Sequence, residues 1–123
     1  MKPLSVVIAQ NDPRSAELLA ASLHSHFRAV SVARSVDELR TAIPKHRADL
    51  VVVDLELATL PDIVGLHKEF PATVMVCTHR TPDEEMWPSV MEAGASDYCQ
   101  SADVRSIVMA ADRGGQAGAV AAA

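Results

Sequence analysis

Asp49-Leu50-Val51-Val52-Val53-Asp54 is the stretch that decides the fold of this 123-residue chain. Four consecutive apolar residues, three of them β-branched, run into a carboxylate. A segment without a polar face fits a strand covered on both sides, as in a parallel sheet. Open α/β sheets bind their ligands beyond the carboxyl ends of their strands. Asp54 ends this strand and is the first candidate site residue, and Gln10, Asn11, Thr78 and Ser101, which follow the other strands, should converge with it on one cleft at the carboxyl edge of the sheet.

Working outward, strands and helices alternate. Leu4 to Ala9 is a compact apolar run and the first strand. Asp12 then has the chemistry of an N-cap, with Pro13 at the first helical position. Ala16, Leu19, Ala20, Leu23 and Phe27 follow at helical spacing. Ala29 to Ala33 is a second short strand. Ser35-Val36-Asp37-Glu38 has the pattern of a capping box and opens a helix that Pro44 should end. Leu50 to Val53 is the third strand, and Pro61 to Glu69 is helical. Val74 to Cys77 is the fourth strand. Thr81-Pro82-Asp83-Glu84 has the capping-box pattern again, but Pro88 sits inside the segment, where a helix kinks or restarts. Gly94 caps its end. Ser96 to Cys99 is the fifth strand. Ser101 or Asp103 opens a last helix, stopped by Gly114-Gly115. These boundaries place one domain at 1–113 and a flexible Gly/Ala-rich tail or linker at 114–123.

Five such units make a doubly wound α/β domain with a five-stranded parallel sheet. Length allows one domain with a real core. Hydrophobic residues at 49% and charged residues at 22% describe a globular chain. A net charge of −5 opposes direct nucleic-acid binding, which runs on excess Lys and Arg. No apolar run approaches the ~20 residues of a membrane span. Nothing after Met1 resembles a signal peptide, and two cysteines without zinc-type spacing suit a cytoplasmic chain with reduced thiols. Cys77 and Cys99 read as two buried small thiols, with His79 a surface neighbour. No Gly-rich phosphate loop follows any strand, which disfavours nucleotide binding. The residues alone leave Asp54 either as a reactive carboxylate or as an acid that simply ends a strand.

The strand ending at Asp54, the strand ending Cys77-Thr78, and Glu92-Ala93-Gly94-Ala95-Ser96-Asp97-Tyr98 together resemble the receiver domains of bacterial two-component response regulators. The likeness extends to about Arg113. It implies a CheY-like, flavodoxin-like sheet of order 2-1-3-4-5 and a phosphorelay signalling module that is not an enzyme. It implies that Asp54 is the phosphoacceptor, that Thr78 is the hydroxyl residue of strand four, and that Tyr98 is the aromatic of strand five. It places Trp87, Met91 and Tyr98 on the output surface of helix four, strand five and helix five. The implied partners are a histidine kinase or another signalling protein, with a homodimer left open.

The departures from that pattern define an atypical member. The paired acids that hold Mg²⁺ at the end of strand one correspond to Gln10 and Asn11. Amides bring no charge, and hard cations want carboxylates. Asn11, Asp12, Asp54 and Glu56 then form only a weak Mg²⁺ set. The lysine seven residues beyond Gly94 is replaced by Ser101, and Arg80 is the nearest basic residue in sequence. The Met-Pro pair and the glycine after the phosphoacceptor are replaced near Ala58, Thr59 and Asp62. Two functions follow as expectations: a phosphorelay response regulator, or a degenerate receiver that binds partners constitutively.

Overall fold

The fold, described by a computed structural model over residues 4–122, alternates strand and helix throughout. The strands are β1 (Ser5–Ala9), β2 (Ala29–Ala33), β3 (Leu50–Asp54), β4 (Val74–His79) and β5 (Asp97–Gln100). The helices are α1 (Pro13–Leu23), α2 (Val36–His46), α3 (Leu60–Glu69), α4 (Trp87–Ala93) and α5 (Val104–Ala122), with a 3₁₀ turn at Glu84–Met86 before α4. All strand pairs are parallel, in the order β2-β1-β3-β4-β5. The sequence-based order and fold class are therefore observed.

The unbroken apolar run of β3 has the expected cause. Leu50 and Val52 enter one core layer with Val6, Ile8 and Val76, beneath Leu19 and Leu23 of α1 and Ile107 and Ala110 of α5. Val51 and Val53 enter the opposite layer with Val7, Met75 and Cys77, beneath Leu39 and Ile43 of α2, Ile63 and Leu66 of α3, and Val90 of α4. Alternate residues of one strand thus feed two cores. Every residue of β1 and β3 is buried, whereas the edge strand β2 is only half-covered.

Local chemistry sets the helix ends. Asp12 caps α1, its carboxylate accepting from Arg14 N, with Pro13 behind it. Ser35 caps α2 by accepting from Glu38 N. Thr59 and Asp62 form a reciprocal capping box on α3, which explains an acid where the resemblance expected glycine.

Four helix boundaries differ from expectation. α1 stops at Leu23 rather than near Phe27, although Phe27 still packs in the core. α2 runs through Pro44 to His46. So close to the C-terminus, the missing proline N–H removes a single helical bond. Arg47 then takes the left-handed region (φ 50°) and closes the helix, while Ala48 N donates to Ile43 O. Thr81 is not the cap of the fourth helical segment. Asp83 caps the short 3₁₀ turn, and α4 restarts at Trp87 with Pro88 in its first turn, where a missing N–H costs nothing. Finally, the backbone of α5 is helical through Ala122, past Gly114-Gly115. Glycine costs a helix only about 1 kcal/mol relative to alanine, and alanine is the commonest residue from there to the C-terminus. Ala123, the end of the expected tail, lies outside the described residues.

Candidate functional site

The loops after β1, β3, β4 and β5 surround a cleft of about 130 Å³ at the carboxyl edge of the sheet. Gln10, Asn11, Asp54 and Ser101 line it, together with Asp12, Ser15, Glu56 and Arg80. Parallel pairing produces this convergence. β3 lies between β1 and β4, and Asp54 pairs in register with Thr78. The five residues expected to converge therefore do so, with Thr78 beneath the cleft surface.

Asp54 is only 3% exposed. Its Oδ1 accepts from Glu56 N at 3.0 Å and its Oδ2 from Asn11 N at 3.4 Å. Two backbone donors thus hold the carboxylate. Thr78 is fully buried, and Gln10 Nε2 donates to its Oγ1 at 3.1 Å. Gln10 is itself 4% exposed, and its Oε1 has no hydrogen-bond partner. Ser101 Oγ is likewise buried and unpartnered.

Charge in the cleft is already balanced in part by the protein. Arg80 makes a bidentate pair with Glu56, Nε to Oε1 at 2.9 Å and Nη2 to Oε2 at 3.0 Å. This hydrogen bonding holds the Glu56 carboxyl below its ordinary range and the Arg80 guanidinium above its own, with Asp54 and Asp12 adding to the field at Arg80. His79 Nε2 stands 3.9 Å from Glu56 Oε1, and its Nδ1 accepts from Thr81 N. Asp12 is exposed. Its carboxyl is lowered chiefly by the Ser15 hydroxyl at 2.9 Å, then by Arg14 N.

The expected Mg²⁺ set of Asn11, Asp12, Asp54 and Glu56 lines this one cleft, but its carboxylates are already engaged. Each carboxylate is committed elsewhere: Asp12 to the N-terminus of α1, Asp54 to two backbone amides, Glu56 to Arg80. Asn11 contributes its backbone N–H to Asp54. Among the described residues, no group of three His, Cys, Asp or Glu side chains is placed to hold a metal ion. A hard divalent cation wants several free oxygens, so the residues present do not fit it.

The expected partner surface divides in two. Trp87 is 44% exposed at the start of α4, and Met91 is half-buried beside it. Tyr98, however, is a core residue, 5% exposed, and its hydroxyl accepts from Asp83 N at 3.1 Å. Its ring lies 6.1 Å from that of Trp87, tilted by 50°. Tyr98 therefore supports the surface from below and pins the turn leading into α4. An aromatic ring on a strand with Val76 and Cys77 beside it gains more from burial than from solvent.

Cys77 and Cys99 are buried free thiols, both pushed up to about 12, chiefly by burial. They face opposite core layers, so no disulfide links them. Sequence reasoning missed the Gln10–Thr78 bond and Ser15. The second had a signal, since Ser15 stands three residues beyond a helix cap. The first had none, because it joins residues 68 apart.

No family model and no curated protein matches this sequence. Solved structures do match its fold. NtrX from Brucella abortus, solved in complex with ADP, superposes with a TM-score of 0.83 at 18% identity, covering 97% of this chain and 28% of that one. The BeF3-activated N-terminal receiver domain of Klebsiella pneumoniae RstA gives 0.75 at 24% identity, covering 89% of this chain and 95% of that one. A response regulator from Thermotoga maritima gives 0.75 at 21% identity, covering 88% and 99%. The chain thus spans little more than a quarter of the NtrX chain but nearly the whole of the other two. It has the CheY-like receiver fold, and no helix among the described residues is long and apolar enough to cross a membrane.

Proposed function

We propose that this chain is a receiver-type signal-transduction domain that holds one standing conformation and works by presenting a protein-binding face. Asp54 occupies the phosphoacceptor position of the fold. The observation that carries the proposal is that the cation lining the cleft, which a phosphoryl group would recruit, is already tied within the protein. Arg80 holds both oxygens of Glu56. A ligand shifts a conformational equilibrium only by its differential interaction with the two states. With Ser101 in place of a cation and Mg²⁺ at best a weak ligand, few differential contacts remain. The binding face is centred on Trp87 and Met91, with Tyr98 beneath, and its partner is a histidine kinase or another signalling protein. Treatment with acetyl phosphate and Mg²⁺, read by intact mass, tests this reading. The expected result is no phosphoryl addition beyond that seen in Asp54→Asn.

A second reading, a phosphorelay response regulator, is favoured by one observation: Asp54 is buried beside Thr78 with its carboxylate oriented by two backbone donors. In that case an Asp54 oxygen attacks a phosphohistidine. The P–N bond breaks as the O–P bond forms, and charge builds on the phosphoryl oxygens. A single phosphoryl addition, lost in Asp54→Asn, establishes this reading over the first.

A further inference from the structure

Three carboxylates border the cleft, those of Asp12, Asp54 and Glu56, together with the one guanidinium of Arg80. Negative side chains bordering one cleft focus a field that attracts cations. Protons, a metal ion or a fixed cation must balance them. Sheet register builds the third solution into the fold. Asp54 and Thr78 are paired across β3 and β4, and Glu56 and Arg80 each stand two residues beyond that pair. The planar guanidinium meets both Glu56 oxygens, the geometry in which Arg binds carboxylate best. Its charge also acts on Asp54 and Asp12.

We infer that Arg80 is the resident counter-cation of the cleft and is the residue that keeps divalent metal ions out of it. A divalent ion at this cleft must either strip Glu56 from Arg80 or sit beside a like charge. Without Arg80, the Glu56 carboxylate loses its partner, and no cationic side chain among the described residues lining the cleft offsets its three acids. The buried Gln10 Oε1, unpartnered as it stands, then becomes an oxygen that a cation or its hydration water satisfies. Metal exclusion is thus an active property of one side chain, beyond the loss of acids at Gln10 and Asn11. It deepens the proposal of a standing conformation, because a cleft that supplies its own cation has no need of an ion from solution.

The test is a titration with Mn²⁺ alone, following the free ion by electron paramagnetic resonance, on the whole chain. The expected result is that Arg80→Ala binds Mn²⁺ at least tenfold more tightly than wild type, and that Arg80→Ala combined with Glu56→Gln returns to the wild-type affinity. If Arg80→Ala fails to fold without metal, Arg80→Gln, which retains most of the side-chain stem, carries the same comparison. Equal affinity in wild type and the single variant overturns the inference, as does sub-millimolar binding by wild type. The readout involves neither a partner nor Asp54 chemistry, so it fails or succeeds separately from the proposed function.

Discussion

Gly94→Ala is the substitution whose cost can be worked most directly from the structure. Gly94 ends α4 with φ at 123°, a region closed to ordinary L-residues without strain. Holding alanine there costs about 1–3 kcal/mol. A methyl group at this position also meets the side chain of His67 on α3, 2.7 Å from its Cβ and from its Cδ2. Forcing that contact costs about another 1–3 kcal/mol. The sum, about 2–6 kcal/mol, is a large part of the ~5–15 kcal/mol that stabilises a domain. Urea unfolding followed by circular dichroism measures it. In a His67→Ala background the contacts with the imidazole ring vanish, while the contact with the residue 67 Cβ and the backbone part stay, so the cost of Gly94→Ala should fall by about 1 kcal/mol. A cost below about 0.5 kcal/mol, or the same cost in both backgrounds, would refute the argument.

Two further outcomes follow from the site and the core. The buried thiols of Cys77 and Cys99 stay protonated in the folded chain up to about 12, whereas the unfolded chain ionises them near 9.0. The unfolded state therefore holds fewer protons between those values, and stability that is complete below pH 9 should decline as pH rises through this window. Thermal melts from pH 8 to 11 should show the decline, and it should diminish in Cys77→Ala combined with Cys99→Ala. Restoring acids with Gln10→Asp and Asn11→Asp should raise Mg²⁺ affinity in a calorimetric titration and lower the stability of the metal-free protein, because added carboxylates repel Asp54 and break the bond to Thr78.

The fold was legible because its signals are local or periodic. The β3 run, the caps at Asp12 and Ser35, and Gly94 each act over a few residues, and parallel pairing follows from strands separated by helices. Proline and glycine misled where their cost is small. Pro44 in a last turn loses one bond, and Gly114-Gly115 weakens a helix without ending it. The convergence of Gln10, Asn11, Asp54, Thr78 and Ser101 was legible because every strand end of such a sheet faces one edge. The state of the site was not. Whether Glu56 offers its oxygens to a cation or gives them to Arg80 depends on side-chain geometry across 24 residues. The resemblance placed Tyr98 on the output surface, and its burial depends on how the ring turns beneath Trp87.

The account's central claim is that Thr78, Tyr98 and the face above them hold one arrangement whatever occupies Asp54. Amide NMR spectra of the chain with Mg²⁺, with and without beryllofluoride, test it most directly. The account predicts that the resonances of Thr78, Tyr98, Trp87 and Met91 stay in place, as they do in Asp54→Asn. A saturable second set of resonances spreading from Asp54 through Thr78 to Tyr98 and α4, absent in Asp54→Asn, would contradict it.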